Sequence, residues 1–224
     1  MKTQKPKLRI ANDLDGTLYD LMPINLDITN NLIKPLGYAP ISREQYLSVY
    51  QTYDWRKFYH DLGIRDKHVD SVIDGFIRLR KSNIPKLIPG AKKFLANQEQ
   101  VAGAGNIYFI TQAPRGEVEF RFRRDGIEKY LPNTFNPFEG KAHEIHRLAM
   151  QDPNIPLIYV GDIISDGEAC HEAREMGADN VRFCGICHQY GFNSRDSLKE
   201  FTKNHSDFAS TFDGLEEVGK IWKD

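Results

Sequence analysis

The sequence predicts an α/β protein, a doubly wound parallel sheet with an inserted all-helical subdomain. Three observations predict it. Apolar runs at 8–13, 106–111, 156–161 and 180–185 read as buried strands, with helical patterns between the later ones. Residues 21–87 hold helical periodicity and no convincing strand. Polar residues follow the first three runs at once: Asp13, Thr111-Gln112 and Asp162. An open α/β sheet collects its ligand residues at such strand ends.

Taken in order, 8–13 is the first strand, entering the turn through Leu14. Residues 23–36 form a helix with Ile24, Ile28, Leu32 and Leu36 at four-residue spacing, ended by Pro35 and Gly37. Ser42-Arg43-Glu44-Gln45 has the pattern of a capping box, opening a second helix that runs towards Leu62 through Tyr46, Tyr50, Tyr53 and Phe58. Gly63 stops it. Asp66 is expected to cap a third helix carrying Val69, Val72, Ile73, Phe76, Ile77 and Leu79. Residues 85–89 are extended, and Pro89-Gly90 opens a helix over 91–98. Strand 106–111 leads to a helix over 114–130, with Val118 and Phe122 facing inward. A short, irregular strand is expected at 134–138 and a helix at 141–150. Strand 156–161, helix 165–176 with Gly177 as its stop, and strand 180–185 follow. An edge strand at 207–212 and a helix at 215–222 close the chain. The division is an α/β core, 1–20 and 88–224, around a helical insert, 21–87.

Composition narrows the partners. With 224 residues, 40% hydrophobic, 27% charged and a net charge of −1, nothing draws the chain to nucleic acid or to a membrane surface. No apolar run approaches a bilayer span. Residues 1–9 are basic but lack the apolar stretch of a signal peptide. Three cysteines, an odd number, suit a reducing compartment, so a cytoplasmic protein is expected.

The chemistry concentrates at four places. Asp13 and Asp15 stand two apart after the first strand and point the same way if the extended path holds through Leu14. Two adjacent carboxylates repel unless a cation intervenes. They allow a Mg²⁺ site, a nucleophile beside a general acid, both, or an ordinary polar turn. Thr111, with Gln112 beside it, offers a hydroxyl and backbone N–H groups suited to a phosphate. Lys141 opens a helix, an awkward place for a cation unless an anion sits nearby. Asp162 and Asp166 flank a strand-to-helix turn and carry hard oxygen ligands, though Asp166 can also cap its helix.

Asp13-Leu14-Asp15-Gly16-Thr17-Leu18, Thr111, Lys141 and Gly161-Asp162-Ile163-Ile164-Ser165-Asp166, in this order, resemble the four motifs of the haloacid dehalogenase superfamily. Ala142 stands where that family often has Pro after the Lys. The resemblance implies a Rossmann-like core and a helical cap of the kind seen in phosphatases resembling phosphoglycolate phosphatase. It implies a Mg²⁺-dependent phosphatase acting on a small phosphorylated metabolite. In that scheme Asp13 is the nucleophile and Asp15 the general acid and base. Thr111, Gln112 and Lys141 bind phosphate, and Asp13, the Asp15 backbone carbonyl, Asp162 and Asp166 hold the metal. The second Asp argues within the family, because a dehalogenase needs no proton donor and lacks it. A phosphosugar mutase using the same nucleophile and a non-catalytic phosphate-binding protein are the alternatives.

Other signals weigh less. Cys184-Gly185-Ile186-Cys187-His188 has the haem-attachment spacing but no export signal, and its first Cys falls in a strand. His143-Glu144-Ile145-His146 is one residue short of a zinc-protease helix. Arg121-Phe122-Arg123-Arg124, surrounded by acids, reads as a solvated helix face. Tyr53, Trp55, Phe58 and the cations Arg56, Lys57 and His60 offer substrate contacts from the insert, and residues 188–192 can reach the rim of the site.

Overall fold

The computed structural model describes residues 8–50, 54–137 and 140–218. Its first part runs β1 (Arg9–Asn12), β2 (Tyr19–Asp20), α1 (Met22–Ile33), α2 (Arg43–Val49), α3 (Trp55–Asp61), α4 (Asp66–Arg80) and β3 (Lys86–Leu87). Then come α5 (Ala91–Ala102), β4 (Ile107–Ile110), α6 (Arg115–Arg124), β5 (Thr134–Phe135), α7 (Lys141–Ala149) and β6 (Leu157–Gly161). The last part is α8 (Ile164–Glu175), β7 (Val181–Ile186), α9 (Arg195–Asn204), β8 (Ala209–Phe212) and α10 (Leu215–Val218).

Six strands form one sheet in the order β5-β4-β1-β6-β7-β8, every neighbour parallel. The chain winds outward from β1 through β4 and β5, then crosses back and winds the other way through β6, β7 and β8. The switch point therefore lies beside β1, where such sheets bind ligands. Strand alternation builds two cores. Ile10, Ile158 and Val160 pack with Phe94 of α5, Phe122 of α6 and Val218 of α10. Ala11, Leu157 and Tyr159 pack on the other face with Leu148 of α7, Cys170 of α8 and Leu198 of α9. Helices on both faces leave the strand ends as the open edge of the molecule.

Helices α1 to α4 build a third core around Tyr46, Phe58, Tyr59, Val69 and Val72, which Phe192 joins from the loop after β7. They leave the sheet domain after β2 and return through β3. These two short strands pair antiparallel, Tyr19 with Leu87 and Asp20 with Lys86, in a ribbon that the sequence did not announce for its first half.

Several expected elements differ. The helix drawn from Ser42 towards Leu62 is two. The capping box at Ser42 forms as expected, but Asp54 caps a new helix by accepting from the Lys57 N–H at 3.0 Å. Tyr53 lies outside the described residues. Asp66 is the first residue of α4 rather than its cap, and its carboxylate meets His60 at 2.5 Å. The helix expected to reach Tyr130 ends at Arg124, because Gly126 takes a positive φ of 66° and a 3-10 turn follows. Helix α9 was missed: only Leu198 and Phe201 are large and apolar in it, and its one strong signal is Ser194, which caps it by accepting from the Ser197 N–H. Among the described residues no helix is long and apolar enough to cross a membrane.

Candidate active site

Three buried strands deliver the site. Beyond β1, the Asp13 N–H still donates to the Val160 carbonyl at 2.8 Å, so the ladder carries Asp13 to the sheet edge. The chain then turns rather than staying extended: the Leu14 carbonyl accepts from the N–H groups of both Leu18 and Tyr19. Gly16 makes this possible, with a φ of 87° and an α-carbon so close to the Asp162 carboxylate that a Cβ would overlap it. Asp13 and Asp15 nevertheless both border the same cavity of about 340 Å³, together with Thr111, Gln112 and Lys141.

Asp13, Asp162 and Asp166 form a buried cluster whose carboxylate oxygens lie within 4.8 Å of one another. Lys141 enters it from the first position of α7, and its Nζ donates to Asp13 Oδ1 and Asp166 Oδ1, both at 2.7 Å. The anions that justify a Lys at a helix N-terminus are therefore these carboxylates. Asp162 accepts from the Thr17 hydroxyl at 2.9 Å and from the Phe192 N–H at 2.7 Å. Asp166 sits in the first turn of α8, where the helix dipole favours a negative charge. Its Oδ2 is buried and has no hydrogen-bond partner among the described residues.

Three carboxylates crowd around one ammonium that bonds two of them, and the protonation equilibria reflect it. Burial pushes the Asp13 carboxyl up to about 7, against the pull of Lys141 and with the help of Asp166 and Asp15. Burial also raises Asp162 well above the usual range, with Asp13 and Asp166 adding to it. An uncompensated group of oxygen donors of this kind fits a hard divalent cation, and the unpartnered Asp166 Oδ2 is the atom that most needs one.

A second ionic group borders it. The Asp15 carboxylate lies 2.5 Å from Arg121 Nη1, and that Arg also donates to Glu117. Arg80, the last residue of α4, meets Glu117 at 2.9 Å. Arg121 is fully buried and its guanidinium lies 5.1 Å from the Tyr19 ring centre. The expectation of a solvated face for this stretch fails at Arg121. Arg123 and Arg124 do lie at the surface, and the i to i+4 placement of Glu117 and Arg121 is the one signal that could have marked the pair.

The remaining expected residues fall as follows. Thr111 is buried, with its Oγ1 accepting from the Ala113 N–H at 3.1 Å, and Gln112 is exposed at the cavity. Arg56, Lys57 and His60 turn away from the cavity and pair with Asp70, Asp61 and Asp66 on the exposed side of the insert. Trp55, Phe76 and Ile77 line it instead, with Arg80 and Lys81. Phe192 reaches the rim as expected, whereas His188 accepts the Tyr190 N–H on its Nδ1. Cys184 lies within β7, and it, Cys170 and Cys187 are buried and unpaired. Thr17 and the Phe192 N–H, which fix Asp162, were not singled out in the sequence as site groups.

Residues 10–178 match the family model described as haloacid dehalogenase-like hydrolase. The phosphoglycolate phosphatase of Synechococcus elongatus is 26% identical over 195 residues, 84% of this chain and 87% of the relative. A haloacid dehalogenase-like hydrolase of Streptococcus pneumoniae superposes with a TM-score of 0.71 at 18% identity, covering 96% of this chain and 99% of its own. A predicted phosphoglycolate phosphatase of Haemophilus somnus gives 0.70 at 19%, covering 99% of each chain.

Proposed function

The chain belongs to the haloacid dehalogenase-like hydrolase family, and we propose that within it the protein is a Mg²⁺-dependent phosphatase of small phosphomonoesters. The observation that carries this reading is the cluster of three buried carboxylates around Lys141 at the strand ends. The activity named for the Synechococcus relative supports the same substrate chemistry.

Asp13 attacks phosphorus with a carboxylate oxygen, the P–O ester bond breaks, and an aspartyl-phosphate forms on Asp13. Asp15 delivers a proton to the departing alkoxide, then removes one from the water that hydrolyses the intermediate. Its carboxylate lies 2.5 Å from Arg121 Nη1, so reaching the ester oxygen requires it to swing off that guanidinium. Lys141 offsets the charge of the incoming phosphoryl group, and Thr111 and Gln112 border its seat with hydroxyl, amide and backbone donors. Mg²⁺, held by Asp13, the Asp15 carbonyl, Asp162 and Asp166, would neutralise charge building on the phosphoryl oxygens. Thr17 and the Phe192 N–H keep Asp162 aimed for that role. We read helices α1 to α4 as the cap that closes over the substrate. A cytoplasmic setting fits the three unpaired cysteines.

Phosphate release from a generic aryl phosphate, with Mg²⁺ and with EDTA, tests the proposal in the native protein and in Asp13→Asn. Release is expected only from the native protein with metal, in step with substrate loss, which also separates a phosphatase from a mutase. Release that survives Asp13→Asn would reject Asp13 as nucleophile.

A further inference from the structure

The cavity that holds Asp13 and Lys141 is walled by the insert with aromatic and aliphatic side chains. Phe192, whose N–H holds Asp162, stacks on Tyr50 with ring centres 4.6 Å apart and planes 25° from parallel. Trp55 and Phe76 lie with centres 5.0 Å apart on the same lining. Ile77 joins them on the same lining and is 49% exposed. The rings thus begin at the carboxylate cluster and continue into the insert.

The charges on this lining are largely committed. Lys141 is held by Asp13 and Asp166, and Arg80 by Glu117. Among the described residues, Lys81 is the one lining cation without a carboxylate partner, and it is exposed. On the insert side of the lining, a second anionic group such as that of a short phosphorylated acid meets Asn25 and Lys81 among mainly apolar side chains. A flat apolar group meets a lining of aromatic side chains, whose contacts with a ring add to simple burial. The volume, about 340 Å³, accommodates a ring together with a phosphoryl group.

We infer that the preferred substrate is a phosphomonoester whose alcohol carries a flat apolar ring, seated against Tyr50, Trp55, Phe76, Ile77 and Phe192; the inference rests on the phosphatase reading above. The chemistry is that of Asp13 and Asp15, and the wall contributes binding and selectivity.

The test compares kcat/KM for 2-phenylethyl phosphate, ethyl phosphate and phosphoglycolate at saturating Mg²⁺. The first two leave as simple primary alcohols, so their difference reports the ring and not an activated leaving group. The ring substrate is expected to lead by about tenfold or more, chiefly through KM, the scale on which apolar pockets discriminate. Ile77→Asp, at a site exposed enough to accept the change, is expected to shrink the ratio of the first two several-fold. Equal rates for the three, or a lead for phosphoglycolate, would overturn the ring-bearing substrate while leaving the phosphatase intact. Absence of phosphate release from all three would reject the phosphatase reading and the inference with it.

Discussion

Two ionic groups meet at the carboxyl edge of the sheet, and they are composed in opposite ways. Asp13 and Asp166 share the single ammonium of Lys141, and Asp162 completes the cluster, held by the Thr17 hydroxyl and the Phe192 N–H. Asp15 and Glu117 alternate with Arg121 and Arg80 in a balanced chain. The balanced group has its charges matched within the protein, so it can position a side chain and needs no ligand. The unbalanced group has buried carboxylates in excess of its cation and, among the described residues, an oxygen with no partner, which is the composition a bound cation would suit. The comparison separates a group that positions the proposed acid–base Asp15 from one that can take up a cation, although both consist of the same residue types within one cavity.

The sharpest way to break the comparison is to remove one cation from each group. Lys141→Met leaves two buried carboxylates without their cation and is expected to cost about 3–5 kcal/mol in urea unfolding with EDTA present, whereas Arg121→Met strands only the part-exposed Asp15, because Glu117 keeps Arg80, and is expected to cost less. Mg²⁺ should raise the stability of Lys141→Met by more than it raises that of the native protein, and that of Arg121→Met by the same amount as the native protein. An equal rise in both variants would mean that the two groups are not different in kind.

Catalysis and metal binding should separate along the same line. Asp15→Asn is expected to lower turnover about 10²- to 10⁴-fold, the usual worth of a general acid–base, with Mg²⁺ affinity kept. Asp162→Asn should lose Mg²⁺ affinity itself, read by calorimetry. In the native protein, Mg²⁺ at a hundred times its Kd should add about 2.7 kcal/mol of stability, seen as a higher Tm that EDTA reverses.

The smallest effect is in pH. The folded-state pKa of Asp13 is raised from 3.8 to about 7. The folded protein therefore holds more protons than the unfolded chain between these values, and stability falls as pH rises through that window. Metal-free protein should be more stable near the bottom of the window than above it. Mg²⁺ should flatten the slope, because it replaces the protons as the source of positive charge. A slope unchanged by Mg²⁺ would detach the carboxylate cluster from metal binding.

The two groups also differ in how far the sequence revealed them. The unbalanced cluster was legible because each member ends or follows a buried strand: an apolar run that stops at Asp13 or Asp162 has both a fold signature and a chemical one. Lys141 was legible through its electrostatic awkwardness at a helix start. The balanced chain was hidden because Arg121 sits among charged neighbours whose usual place is the surface, and its burial depends on Tyr19, Asp15 and α6 meeting in three dimensions. The insert shows the same limit. Helical periodicity marked its helices, but Arg56, Lys57 and His60 are satisfied by local acids and face outward, while Trp55 and Ile77 face the cavity. The local turn at Asp54 decides that orientation, and it lay within an apparently continuous helical pattern. Helix α9 was hidden by its paucity of apolar residues, and β2 by its length of two residues.

The central claim, that Asp13 carries the phosphoryl group, is tested most directly by trapping it. The protein is mixed with a radiolabelled phosphomonoester and Mg²⁺, quenched in acid within one turnover, and digested. The account predicts a hydroxylamine-labile label on the peptide containing Asp13, absent with EDTA and absent in Asp13→Asn. A label on another residue, or rapid turnover with no covalent label at any time, would contradict it.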